Sequence, residues 1–258
     1  MRAIFCAMSV LTVSRLSRNL LLALALTLFS ACNRAMDRAE IVVLNGAEPE
    51  TIDPALLTGQ PDGRVAYTLF EGLTSFDQTG TPQPGVAERW ELSPDAKTYT
   101  FHLRKNAKWS NGDPVTSEDF IRSWERTLKP ETASEYASQL YYVHNAKPFN
   151  EGTLKDFREV GVTAPDPYTL VVTLDNPTPF FIDLTSFSTL MPVHMPSVTE
   201  CEKRGETFMK PGKCIGNGAF VLRNGASSTA SAWRKIRTTG TRRTSRRAAW
   251  TSSRRRIR

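Results

Sequence analysis

Hydrophobic residues recur along the chain at two periods, and the changes between them mark out the elements. Ile41-Val42-Val43-Leu44 is continuous, as in a strand buried on both faces. Asn45-Gly46 then turns the chain. Thr51-Ile52-Asp53-Pro54 reads as a loop, because the residue before a proline avoids helical backbone. Val65 to Gly72 (VAYTLFEG) carries Val65, Leu69 and Phe70 at helical spacing, with Gly72 placed to end the helix. Short strands are predicted at Leu73 to Phe76 and Ala87 to Leu92, with a turn at Thr81 to Gly85 between them. Thr98 to Leu103 alternates cleanly: Tyr99, Phe101 and Leu103 face one way, Thr98, Thr100 and His102 the other. Thr116-Ser117-Glu118-Asp119 opens a helix, with Thr116 as N-cap and acids in the first turn. Phe120, Ile121, Trp124 and Leu128 supply its apolar face, and Pro130 stops it. Thr169 to Leu174 is another strand, and Phe180 to Phe187 reads as an amphipathic helix docked by aromatics. Strands and helices mix without a strict βαβ rhythm, so the body is mixed α/β.

The N-terminus is patterned differently. Leu20 to Phe29 is an apolar run, too short to span a bilayer as a stable helix. Arg2, Arg15 and Arg18 precede it; Ser30, Ala31 and Cys32 follow. A basic start, an apolar centre and small residues at its end make residues 1–32 an export signal. Met8 serves as well as Met1 for a start, since the signal survives without the first seven residues. Phe29-Ser30-Ala31-Cys32 resembles a lipobox, in which the Cys32 thiol is acylated, although an aliphatic residue is usual where Phe29 stands. Lipidation and ordinary cleavage are both open. Residues 33–40 are a tether. Export frames the remaining cysteines, Cys201 and Cys214, as either a disulfide or two free thiols. A bridge closing that short loop would stabilise by about 3 kcal/mol.

The chain carries 33 basic and 26 acidic residues. The excess lies in one place: residues 224–258 hold ten arginines, one lysine and no acid. Without them the balance is 22 basic to 26 acidic, mildly acidic, with no nucleic-acid surface. Catalytic chemistry has no foothold. His102, His144 and His194 lack metal-ligand spacing, and neither a G-x-S-x-G nor a phosphate-binding glycine loop occurs. Asp113 fits a turn after Asn111-Gly112, while Glu118 and Asp119 fit a helix N-terminus. No enzyme, cofactor or metal is predicted.

Tyr99 to Phe120 (YTFHLRKNAKWSNGDPVTSEDF) resembles the signature of the family 5 extracellular solute-binding proteins. An aromatic strand ends in Leu103-Arg104, Trp109 follows, and the turn Gly112 to Thr116 opens a helix. Here Gly112 permits positive φ, Pro114 fixes φ and Thr116 caps. Further matches run in order: Thr51 to Pro54, Phe70 to Leu73, Pro84 to Glu88, Pro130 to Tyr136, Asp166 to Leu174 and Gly218 to Phe220. The resemblance covers residues 40–223 and is greatest to the oligopeptide-binding subgroup. It implies a periplasmic binding protein-like fold (type II, cluster C), incomplete and lacking the C-terminal lobe, with 41–223 as part of lobe I plus the small lobe. It implies a monomeric, periplasmic or lipid-anchored receptor that captures peptide and delivers it to the permease subunits of an ABC importer. Peptide backbone would be read by strand-like bonding along Thr58-Gly59-Gln60, although the resembled receptors have an acid where Thr58 stands. Tyr136 aligns with a tyrosine lining the peptide site, or packs within its own loop. Trp109 and Trp124 read as core.

The pattern breaks near Arg223. Residues 224–258 read as a basic, disordered tail, and the genetic code offers a sharper account. Joining each codon's free third base to the first two of the next lets Lys235 to Thr241 spell Asn-Pro-Asp-Tyr-Trp-Asp, the segment the family carries there. Asn224 into Gly225 can likewise spell its upstream tryptophan. This reading makes the tail a frameshift and the receptor truncated and impaired. Two other functions compete: a stand-alone exported lipoprotein acting as scaffold or binding module, and a nucleic-acid or membrane binder working through the basic tail.

Overall fold

The computed structural model describes residues 41–45, 47–225, 231–235 and 248–251. The export signal, the tether and Cys32 lie outside the described residues. The described residues all belong to one unit.

Its best-ordered part grows from the cleanly alternating segment. Strand β5 (Thr98–Leu103) buries Tyr99, Phe101 and Leu103 and turns Thr98, Thr100 and His102 outward. It lies inside an antiparallel sheet of order β4–β5–β7–β6, with β4 (Ala87–Leu92), β7 (Thr169–Thr173) and β6 (Val162–Asp166). In register, Phe101 stands opposite Trp90 on one side and Leu170 on the other. Helix α2 (Ser117–Leu128) shares this core, burying Phe120, Trp124 and Leu128. Its start is fixed by the Asp119 carboxylate, which accepts the Thr116 N–H at 2.8 Å and hydroxyl at 3.0 Å. Trp109 and Trp124 are core, 2% and 1% exposed. Gly112 has φ +100°, as the turn requires.

A second core is built from both sides of the first in sequence. Ile52 to Phe70 supply one part and Met191 to Leu222 the other, so residues 73–190 are an insertion. Helix α1 (Gln60–Leu69) and helix α5 (Met195–Lys203) belong to it. Beside them lies a sheet of order β1–β10–β9–β8, from β1 (Ile41–Leu44), β10 (Ala248–Thr251), β9 (Ser231–Lys235) and β8 (Phe220–Gly225).

The two cores are joined along α2. Trp124 Nε1–H donates to the Leu190 carbonyl at 2.9 Å, and the Val193 N–H donates to Ser123 Oγ at 2.9 Å. Both bonds catch the chain as it crosses between cores. Arg126 reaches in the same direction. Its guanidinium donates to both Asp53 oxygens, at 3.1 and 2.8 Å, lies 3.7 Å from Glu202, and sits 5.5 Å over the Phe208 ring. Burial works against the Arg126 charge, but the hydrogen bonds and charge of Asp53, then Glu202, raise its pKa.

Several expectations are corrected. Helix α1 begins at Gln60, not Val65, because Pro61 opens its first turn and Asp62 caps it. It ends at Leu69, before Gly72: a Cβ on Gly72 would lie 2.5 Å from the Thr185 carbonyl, so that glycine serves close approach. The turn at 81–85 contains strand β3 (Pro82–Pro84), paired with β2 (Thr74–Phe76) as an edge where prolines are tolerated. The helix at 180–187 is a single turn, α4 (Phe181–Leu184). Thr185 and Ser186 hydroxyls fold back onto the Ile182 and Asp183 carbonyls there. Helix α3 (Ala146–Asn150) and β6 were not anticipated. Within the tail, 231–235 and 248–251 are strands, since main-chain pairing with β8 and β1 needs no apolar period. Cys201 and Cys214 are not bridged: both are free thiols buried in the second core. Burial, then the Asp53 charge, pushes the Cys214 thiol up to about 12.

Candidate functional site

The segment from Glu50 to Gln60 is held by two carboxylates. Asp53 is 3% exposed; its Oδ1 accepts the Ala55 N–H at 3.0 Å, and its carbonyl accepts Leu56 and Leu57 N–H at 2.9 Å each. Asp62, 4% exposed, accepts the Glu50 N–H at 2.8 Å and the Gly59 N–H at 3.1 Å. Asp53 ties the start of the segment to α2, and Asp62 ties both ends to the first turn of α1.

This geometry divides Thr58-Gly59-Gln60 into two kinds of residue. Gly59 is used up internally: its N–H goes to Asp62, and its carbonyl accepts the Gly63 N–H at 3.0 Å. Its backbone is extended, φ −86° and ψ 150°. Thr58 and Gln60 are exposed, and among the described residues the Thr58 N–H and carbonyl and the Gln60 N–H make no hydrogen bond. Residues i and i+2 of an extended segment present their main-chain groups to the same side. Thr58, and Gln60 as the first residue of α1, therefore leave an edge of free main-chain groups facing out, with Gly59 turned in. A bound extended chain could pair there by strand addition.

Tyr136 is half-buried and sits edge-on to Phe187, ring centroids 5.7 Å apart. The next residue, Ser188, hydrogen-bonds the phenol of Tyr67 through side chain and backbone. Desolvation raises the Tyr67 pKa, and these bonds pull it back. Tyr136 is thus connected to the far half of α1, at Tyr67, rather than to Thr58–Gln60 directly. Tyr67 was read only as part of a helical run; its partner lies over a hundred residues on, beyond any local signal.

Tyr67 borders a groove of about 490 Å³ with Phe70, Phe76, Pro84, Met191 and Asn217. Asn217 forms its floor: its amide Nδ2 donates to the Glu71 carbonyl at 2.8 Å, and Oδ1 accepts the Glu71 N–H at 3.0 Å. Gly216 and Gly218 flank it where only glycine fits, since a Cβ at Gly216 would lie 2.1 Å from the Leu69 carbonyl. A larger hollow of about 1050 Å³ lies between α2 and α5. It is open and lined by exposed charges on helix turns, among them Arg122 paired with Glu118 and Lys129 paired with Glu125. The smaller groove, lined by Tyr67, Phe70, Phe76, Pro84 and Met191, offers the aromatic walls that this hollow lacks.

The histidines are dispersed. His102 meets Glu91 at 3.1 Å and His144 meets Asp175 at 2.7 Å. His194 accepts the Ser197 N–H at Nδ1, so its Nε2 carries the proton toward Asp113, 3.2 Å away. Among the described residues no three His, Cys, Asp or Glu converge as metal ligands. Among them also, no helix is long and apolar enough to cross a membrane.

Two α/β cores, one inserted into the other in sequence, interlock along α2. The chain belongs to the bacterial extracellular solute-binding proteins, family 5, whose middle region matches residues 81–231. It is 46% identical over 190 residues to the periplasmic oligopeptide-binding protein OppA of Haemophilus influenzae, covering 73% of this chain and 34% of that one. The Escherichia coli K12 protein of the same name is 44% identical over 190 residues, with the same coverage. The crystal structure of Haemophilus influenzae OppA with the peptide RPPGFSPFR superposes with a TM-score of 0.78, at 40% identity over 84% of this chain and 42% of that one. The chain spans about a third of the length of these curated relatives. The fold is periplasmic binding protein-like, and the family is one of solute-binding proteins rather than enzymes, as the sequence reading has it.

The Asp62 carboxylate generates a prediction. Asp62→Ala strands the Glu50 and Gly59 N–H groups and removes a helix cap, at a cost of about 1–2 kcal/mol. Urea unfolding measures the loss, and hydrogen exchange of the Gly59 amide should accelerate while that of Phe101 holds.

Proposed function

We propose that this chain is the substrate-capturing component of a peptide ABC importer, binding oligopeptides outside the inner membrane and handing them to the permease subunits. The outward edge of Thr58 and Gln60 carries the reading: exposed main-chain donors and an acceptor at i and i+2 suit an extended peptide backbone and little else. Tyr136 contributes an aromatic wall through Phe187. Similarity to periplasmic oligopeptide-binding proteins supports the same ligand. In this reading the protein is exported and monomeric, either periplasmic or held to the membrane by a lipid on Cys32.

The described residues provide one wall of such a cleft. One wall leaves a peptide half solvated and its charged termini unpaired. The mature chain is therefore expected to show no micromolar peptide binding by calorimetry; a micromolar Kd would overturn the account of impaired capture. The alternative is a stand-alone exported lipoprotein that scaffolds another protein. Its support is the joining of two cores through α2, which gives the chain a closed interior of its own. A cooperative melt with no peptide response at any concentration favours that alternative.

The proposed frame change near Arg223 has its own test. Resequencing the gene across codons 220–245 should reveal one base gained or lost, with the family's sequence continuing downstream. An unaltered sequence there removes the frameshift from the account.

A further inference from the structure

The outward face of α1 does not end at the strand edge. Of its ten residues, Gln60, Arg64 and Tyr67 are exposed, at i, i+4 and i+7, so they form one stripe along the helix. The stripe begins at Gln60, which belongs to the edge, and ends at Tyr67, which borders the 490 Å³ groove. A helix rises about 1.5 Å per residue, so the two ends are roughly 10 Å apart, or about three residues of extended peptide.

Arg64 lies between them. Its guanidinium donates to Gln60 Oε1 at 3.2 Å and to the Asn45 carbonyl at 3.4 Å. Both acceptors are neutral, and among the described residues no carboxylate pairs with it. The arginine is held in place by partners that leave its charge unmatched. Its remaining donors suit a carboxylate. Beyond it, Tyr67 and Phe76 are 46% and 43% exposed, and both line the groove with Phe70, Pro84 and Met191. Such a groove favours an apolar side chain, because Tyr67, Phe70, Phe76, Pro84 and Met191 all line it.

We propose that the stripe Gln60–Arg64–Tyr67 extends the peptide track and sets its preference. Arg64 recognises a carboxylate of the peptide, and the groove beside Tyr67 takes an aromatic or large aliphatic side chain about two residues away. The carboxylate comes from an acidic side chain or from the peptide's C-terminus. This rests on the reading of Thr58 and Gln60 as the peptide edge.

The test is a titration of the full chain with millimolar peptides, followed by amide NMR shifts. The probes are C-terminally amidated Ala-Glu-Ala-Phe-Ala, its Glu-to-Gln and Phe-to-Ala analogues, and Ala-Phe-Gln-Ala with a free C-terminus, which sets phenylalanine two residues from the terminal carboxylate. The expected result is shifts at Thr58 and Gln60 together with Tyr67 and Phe76. Binding should weaken about tenfold when the carboxylate is lost, and that preference should vanish in Arg64→Gln. Tyr67→Ala should erase the preference for phenylalanine while leaving the carboxylate preference. Tight response to the amidated Glu peptide identifies the side-chain source; tight response to the free-terminus peptide identifies the terminal one. Shifts at Thr58 and Gln60 that ignore carboxylate, phenylalanine and both variants overturn this inference and leave the peptide reading standing. No shift at Thr58 or Gln60 with any probe overturns both.

Discussion

The pairing of Arg126 with Asp53 is the contact on which the rest of the arrangement depends. Their side chains are 14% and 4% exposed, so two charges have been taken from water to meet. Such a pair need not stabilise more than an apolar substitute would, but removing one partner strands the other, at a cost of about 3–5 kcal/mol. Its value here is positional. Arg126 sits on the helix that packs the inserted core, and Asp53 sits in the loop leading to Thr58. Phe208 and Glu202 add further second-core contacts to the same guanidinium. One side chain thus holds the strand edge in fixed relation to the inserted body.

From that anchor the functional geometry follows by exclusion. Asp62 consumes the Gly59 N–H and the first turn of α1 consumes its carbonyl, leaving Thr58 and Gln60 to face outward. On the reading proposed above, these main-chain groups are what a bound peptide's backbone would meet. On the same reading, preference beyond the backbone would fall to the outer face of α1, where Arg64, without a carboxylate partner among the described residues, and the groove beside Tyr67 follow in sequence.

Much of this was legible beforehand. The alternation from Thr98 to Leu103 and the apolar face of Phe120, Trp124 and Leu128 specify a sheet and a helix that need each other, and both are where the periods place them. The less legible parts are those where one local signal overrules another. Pro82 and Pro84 suggest a turn, yet an edge strand can spare their missing N–H groups. Gly72 resembles a helix stop, yet its lack of a side chain serves the approach of Thr185. The site was legible only in part. Thr58 to Gln60 could be named through resemblance, but which of the three faces outward depends on Asp62. The link from Asp53 to Arg126 spans 73 positions, and the one from Tyr67 to Ser188 is longer still. Neither leaves a periodic trace, because each is made by the packing of separate elements.

The central claim, that Arg126 couples the edge-bearing loop to the inserted core, is tested most directly by native-state hydrogen exchange. In the unaltered chain the amides of Ala66 in α1 and Phe101 in β5 should open with similar free energies, as parts of one cooperative unit. In Arg126→Ala the Ala66 amide should exchange far faster while Phe101 stays protected. Equal loss of protection at both, or none at either, would contradict the coupling.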